Sequence, residues 1–163
     1  MKQIAMTLVP LLLALGSAAI SQTVDGFQEF AWGTPPDEMK ARLDLSLFDQ
    51  KGNSKMYAAH AVPSLGNAQV ALSCFFYKNK FAGVLIHTKG GTNSRALFEY
   101  LKQKFGPPER VKFGDALAWH FPNTTVLFNN ATDDIWGSIS SVKIHDQQKR
   151  DEAAAARKST KKF

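Results

Sequence analysis

Gln69-Val70-Ala71-Leu72-Ser73-Cys74-Phe75-Phe76-Tyr77, Lys78-Asn79-Lys80 and Phe81-Ala82-Gly83-Val84-Leu85-Ile86-His87-Thr88 form the stretch that decides the fold. Its flanks are aromatic and β-branched and its middle is short and polar, which predicts a β-hairpin with a three-residue loop over Lys78-Asn79-Lys80. Alternation by two places Val70, Leu72, Cys74 and Phe76 on one strand face. Cys74 then reads as a small buried hydrophobe, because a reactive thiolate needs a cationic or histidine neighbour and none adjoins it in sequence. As the single cysteine of the chain, it forms no intramolecular disulfide, and stability must come from packing.

Working outward, Gly90-Gly91-Thr92-Asn93-Ser94 reads as a loop and cap. Leu97, Leu101 and Phe105, with Phe98 beside them, then mark an amphipathic helix. Gly106 stops it and Pro107-Pro108 prevents its resumption. Before the hairpin, Thr34-Pro35-Pro36-Asp37 reads as another helix start, with Thr34 as N-cap, Pro35 at the first helical position and Asp37 reaching back as a shortened capping box. Met39, Leu43 and Leu47 supply its buried face. A weak strand follows near Met56 to Val62, then a turn over residues 63–67. Three further strands are expected at Ala116–Phe121, Thr124–Asn129 and Gly137–Ile144. The resulting order is helix, strands, helix, strands, in two blocks with a period near 65 residues. It predicts an α+β domain in which two helices pack on one face of a twisted antiparallel sheet of five or six strands.

The start of the chain reads as a removable signal peptide over residues 1–21. Lys2 precedes an apolar run from Ile4 to Leu15, and Ala19-Ile20-Ser21 before Gln22 offers the small-x-small cleavage pattern. A run of about a dozen residues is too short to span a bilayer, which takes roughly 20. No cysteine follows closely enough to carry a lipid, so the mature protein is expected free in the periplasm or secreted. Residues 22–146 form one domain of a size that buries its own core.

Charge is concentrated at the far end. Residues 22–146 carry 13 Lys or Arg against 12 Asp or Glu, whereas residues 147–163 carry six against two. The body therefore lacks the basic face that nucleic-acid binding requires. In the tail, Ala153-Ala154-Ala155-Ala156 lies between charged residues and favours helix. No large apolar side chain stands between Ile144 and Phe163 to dock it. The expectation is an undocked, solvent-exposed helix from Asp146 to Lys158 whose positive charge serves either plain solubility or a weak attraction to anionic envelope surfaces.

Phe27-x-x-x-x-Trp32-Gly33-Thr34-x-x-x-x-Met39-Lys40, the hairpin from Phe75 to Val84, and Leu101-x-x-Lys104-Phe105-Gly106-Pro107-Pro108 together resemble an uncharacterised family of bacterial exported proteins. In that family an aromatic start leads to Trp-Gly-Thr and a helix, an aromatic hairpin follows, and a second helix ends at Tyr-Gly-x-Pro. This chain departs in having Phe105 for Tyr, and Phe81-Ala82 where Leu with a variable partner is favoured. More distantly, the same corners are similar to small periplasmic modules with the β-lactamase-inhibitor-like fold, including the small lipoprotein of the outer-membrane assembly machine. That resemblance implies a binding module, while the missing lipid-acceptor cysteine sets this chain apart.

Catalytic and metal motifs are wanting. His60, His87, His120 and His145 are widely separated, with no His-x-x-x-His or Cys-x-x-Cys spacing. Asp133-Asp134 with Asn129 and Asn130 form the most oxygen-rich cluster, which reads as a solvated turn between strands ahead of a cation site. Gly90-Gly91-Thr92 is at most a weak anion nest, and Asn123-Thr124-Thr125 and Asn130-Ala131-Thr132 match a glycosylation sequon. No catalytic residue, metal site or cofactor is assigned. Most of the many aromatic residues must be core, and any that remain exposed would form a ligand or partner rim, for which Trp32, Trp119 and Trp136, with His87 and His120, are the candidates. The function expected is an exported, non-enzymatic binding or interaction module for an envelope protein or small ligand. The alternatives are an enzyme assembled from dispersed residues such as His87, His120 and Asp134, and a structural or envelope-stress role.

Overall fold

A computed structural model describes residues 23–111, 116–129 and 134–160. The signal-peptide reading of residues 1–21 falls outside the described residues, as do Asn130 and Asp133. The elements run β1 (Gly26–Phe27), β2 (Phe30–Ala31), α1 (Pro36–Leu43), β3 (Leu45–Lys51), β4 (Ser54–Ala59), β5 (Val70–Tyr77) and β6 (Lys80–Lys89). They continue with α2 (Gly91–Phe105), β7 (Glu109–Arg110), β8 (Leu117–His120), β9 (Thr124–Asn129), β10 (Asp134–Ser141) and α3 (Val142–Thr160). β1 and β2 make a small ribbon. The other strands form one eight-stranded sheet in the order β3-β4-β5-β6-β10-β9-β8-β7, with every neighbouring pair antiparallel.

This order corrects the expected two helices on five or six strands. The chain is two successive helix-plus-four-strand units, α1 with β3–β6 and α2 with β7–β10, each a meander and each followed by another helix. They join where their last strands pair, β6 against β10. The helix starts are 55 residues apart, at Pro36 and Gly91, so the true repeat is shorter than the expected period. β3 escaped notice because α1 ends without a glycine. Asp44 takes the left-handed conformation (φ 47°), its N–H donates to the Lys40 carbonyl at 2.8 Å, and the chain turns at once into the strand. Leu47, expected on the buried face of α1, therefore stands on β3 and is 49% exposed. β7 has only two residues and leaves no periodic trace.

Local chemistry explains the remaining shifts. Both Lys78 (φ 51°) and Asn79 (φ 58°) are left-handed, so the β5–β6 connection is a two-residue I′-type turn rather than a three-residue loop. Pro35 occupies the N-cap of α1 and Pro36 the first helical position; the Thr34 hydroxyl donates to the Ala31 carbonyl at 2.9 Å and caps nothing. Gly106 closes α2 with φ 85°, as its place after Phe105 predicts.

One face of the sheet is the core. Leu72, Cys74 and Phe76 on β5, Ile86 on β6, Val126 and Phe128 on β9 and Ile139 on β10 pack against Met39 and Leu43 of α1 and Leu97, Leu101 and Phe105 of α2. Burial pushes the Cys74 thiol up to about 12, which keeps it protonated and inert. The sheet edges are protected. A bulge between Leu47 and Asp49 leaves Phe48, 57% exposed, out of the β3–β4 register, and β7 is too short to template another strand.

Candidate functional site: the second face of the sheet

Opposite the core, the alternating residues of the central strands form successive rows. In the middle row Ser73, Leu85, Ser138 and Leu127 are consecutive cross-strand partners, and in the next Ala71, His87, Trp136 and Asn129 are. Leu85, Leu127 and Trp136 are half-buried. In the middle row serines alternate with the two leucines. Gly83, in the row toward the β5–β6 turn, is dictated by close approach. A Cβ there would stand 2.9 Å from the Ile139 carbonyl oxygen and 3.1 Å from the Ser140 Cβ.

Among the described helices, α3 is the one on this face, at its Phe75 and Tyr77 end. It starts directly from β10, with the Val142 N–H donating to the Asn123 carbonyl at 3.0 Å. The carboxylate of Asp151 accepts from the Tyr77 hydroxyl and from the Lys78 ammonium, both at 2.7 Å. The Lys78 ammonium first, and then the Tyr77 hydroxyl, hold that carboxyl down at about 2. The same contact raises the Tyr77 phenol. This corrects the expected undocked tail. The helix spans Val142–Thr160 and is clasped to the sheet by charge and hydrogen bonding, although from Val142 to Lys158 no residue is buried. Between helix and sheet lies a groove of about 610 Å³, floored by Met56, Phe75 and Tyr77 and walled by Gln148, Asp151, Glu152 and Ala155.

Of the five residues expected at a binding rim, the fold brings His87 and Trp136 together as cross-strand neighbours on the second face, where such pairs stand ~5 Å apart. His120 shares that face through its pairing with Thr125. It lies on β8, three strand spacings from β6, or about 14 Å away. Trp119 is buried and Trp32 half-buried, and both indole N–H groups have partners. Trp119 is 3% exposed and donates its indole N–H to the Gly106 carbonyl at 2.7 Å, which fastens the end of α2. Trp32 packs on Phe81, with ring centroids 5.1 Å apart, and donates to Thr124. An indole taken out of water must satisfy its N–H, and both do so within the fold.

The residues named for a dispersed enzyme site fall on three different strands, β6, β8 and β10. His87 and His120 stand apart, and Asp134 lies at the end of β10 opposite Lys89. Sequence reasoning missed one polar pair, Ser46 Oγ and His60 Nε2 at 2.7 Å. It bridges the α1–β3 and β4 ends, is exposed, and among the described residues has no carboxylate orienting the ring. No group of three metal-ligating side chains occurs among the described residues. No described helix is long and apolar enough to cross a membrane. The sequon residue Asn123 is engaged, donating to the Asp25 carboxylate at 2.5 Å. A second groove, of about 790 Å³, follows the solvent side of α2 past Thr92, Arg95, Glu99 and Tyr100, but it is open and mixed in polarity. Comparison with protein-family models, curated proteins and solved structures finds no match to this chain.

Proposed function

We propose that the protein is an exported, non-enzymatic binding module of the periplasm or cell exterior that seats its partner on the second face of the sheet. The observation that carries this reading is the alternation of half-buried Leu85 and Leu127 with serines on one face, flanked by the His87–Trp136 pair. Half-buried apolar groups with small hydroxyl neighbours offer contact area with little side-chain entropy to lose, and the indole supplies an amphipathic anchor of the type that dominates interface energetics. Because the edges are blocked by a bulge and by shortness, a partner gains most by lying across the face. Export rests on Lys2, the apolar run Ile4 to Leu15 and Ala19-Ile20-Ser21. The enzymatic alternative loses its motivation once His87 and His120 are set on strands separated by β10 and β9.

A photo-crosslinking residue at position 127, with another at position 99 on the solvent side of α2 as control, tests the reading in the mature domain mixed with an envelope fraction. Discrete adducts from 127 and none from 99 are expected. Equal adducts from both positions, or none from 127, would overturn it.

A further inference from the structure

We propose that α3 is an electrostatic contact strip for an anionic bilayer surface, independent of whatever occupies the sheet face. At about 3.6 residues per turn, Ile144, Gln148, Asp151 and Ala155 share one side of the helix. The clasp of Asp151 to Tyr77 and Lys78 turns that side to the sheet. The orientation of the rest follows. Lys143, Lys149 and Arg150 fall on the side turned away from the body, all exposed, with Asp146 the acid among them. Arg150 donates to Gln147 at 3.3 Å, a neutral partner that leaves its charge in place. The acids of the tail are used otherwise: Asp151 binds the body, and Glu152 accepts from Gln148 at 2.8 Å. Docking thus turns Asp151 to the sheet and leaves Lys143, Lys149 and Arg150 outward, with Asp146 as the acid among them.

Geometry and composition select the partner. α3 rests on top of the sheet and is about 10 Å thick, so a flat surface approaching from this side meets the basic stripe before the floor beneath. A specific protein interface is built on buried aromatic or aliphatic anchors, and the tail has no large apolar side chain between Ile144 and Phe163. A plane of anionic headgroups needs no anchor. It attracts diffuse positive charge, each basic residue near the surface strengthening partitioning about fivefold. Lys143, Lys149 and Arg150, less the opposing charge of Asp146, then supply about 25-fold. Such a contact is reversible and salt-dependent, since charges are screened over about 10 Å at 0.1 M salt.

The experiment is co-sedimentation of the mature domain with vesicles of phosphatidylcholine and about one-third phosphatidylglycerol, an anionic surface, and with phosphatidylcholine alone. The comparison variant is Lys149→Glu/Arg150→Glu, whose melting temperature is measured alongside to show that it folds. Wild type is expected to partition to the anionic vesicles at low salt, to lose at least tenfold (about tenfold at minimum) at high salt, and to ignore the neutral ones. The variant should lose about 25-fold or more. Equal partitioning of both proteins, or equal binding to neutral vesicles, overturns the proposal. So does the absence of any vesicle binding, which would leave an acidic protein as the stripe's partner.

Discussion

Trp32 and Thr124 are 92 positions apart in sequence, and the indole N–H of the one donates to the hydroxyl of the other at 2.8 Å. Thr124 is fully buried and donates in turn to the Val24 carbonyl. Next to it the Gly33 N–H donates to the Phe81 carbonyl, and the Phe81 N–H to the Thr34 carbonyl, both at 2.9 Å. The Trp-Gly-Thr segment thus reaches β6 of the first unit and β9 of the second at once. It ties the two meanders together beside the root of α3. Gly33 suits the place because its φ of 94° is one that side chains resist.

Trp32→Phe tests this tie. The phenyl ring retains stacking on Phe81, while the buried Thr124 oxygen loses its donor, at an expected cost of about 1–2 kcal/mol. Calorimetric melting of the mature domain should register the loss. An unchanged melting temperature would show that the bond carries nothing.

Gly83→Ala tests the seam between the units. Its Cβ would meet the Ile139 carbonyl and Ser140 on the partner strand, and because the crowded atom is backbone, β6 and β10 must separate. Overpacking of this kind costs about 1–3 kcal/mol. Denaturant unfolding should give a lower midpoint with an unchanged slope; wild-type stability would mean that the strands have room to spare.

Much of this was legible beforehand. The β5–β6 hairpin, the apolar stripe of α2 with its Gly106 stop, and β9 follow directly from aromatic alternation, helical spacing and glycine placement. What escaped was governed by longer-range or shorter signals. Asp44 ended α1 in a left-handed conformation that its residue type only weakly advertises, so β3 was merged into the helix. The site was half-legible. His87 and Trp136 could be named as candidates, but only the β6–β10 pairing, across nearly 50 residues (from His87 to Trp136), makes them neighbours. Trp32 and Trp119 looked equally available until their indole N–H groups were seen to be engaged. The docking of α3 was hidden because the pattern sought was apolar, whereas the clasp is a single carboxylate.

That clasp has a defined pH response. A carboxyl held below its ordinary value, about 3.9 in the unfolded chain, favours the clasped state above that value and surrenders the preference as pH falls toward about 2. The Asp151 side-chain carbon, followed by NMR, should therefore titrate near 2, and Lys78→Met should move its midpoint up toward the ordinary range. A wild-type midpoint already in that range would mean that α3 is not held by Asp151.

The central claim, that the second face of the sheet receives the partner, is met most directly by amide chemical-shift mapping. The ¹⁵N-labelled mature domain is titrated with the partner recovered from the crosslink at position 127. Perturbations are predicted to concentrate on Ser73, Leu85, His87, Trp136 and Ser138, leaving Arg95 and Glu99 on the outer side of α2 unmoved. Shifts confined to α2, with the sheet amides unchanged, would contradict the account.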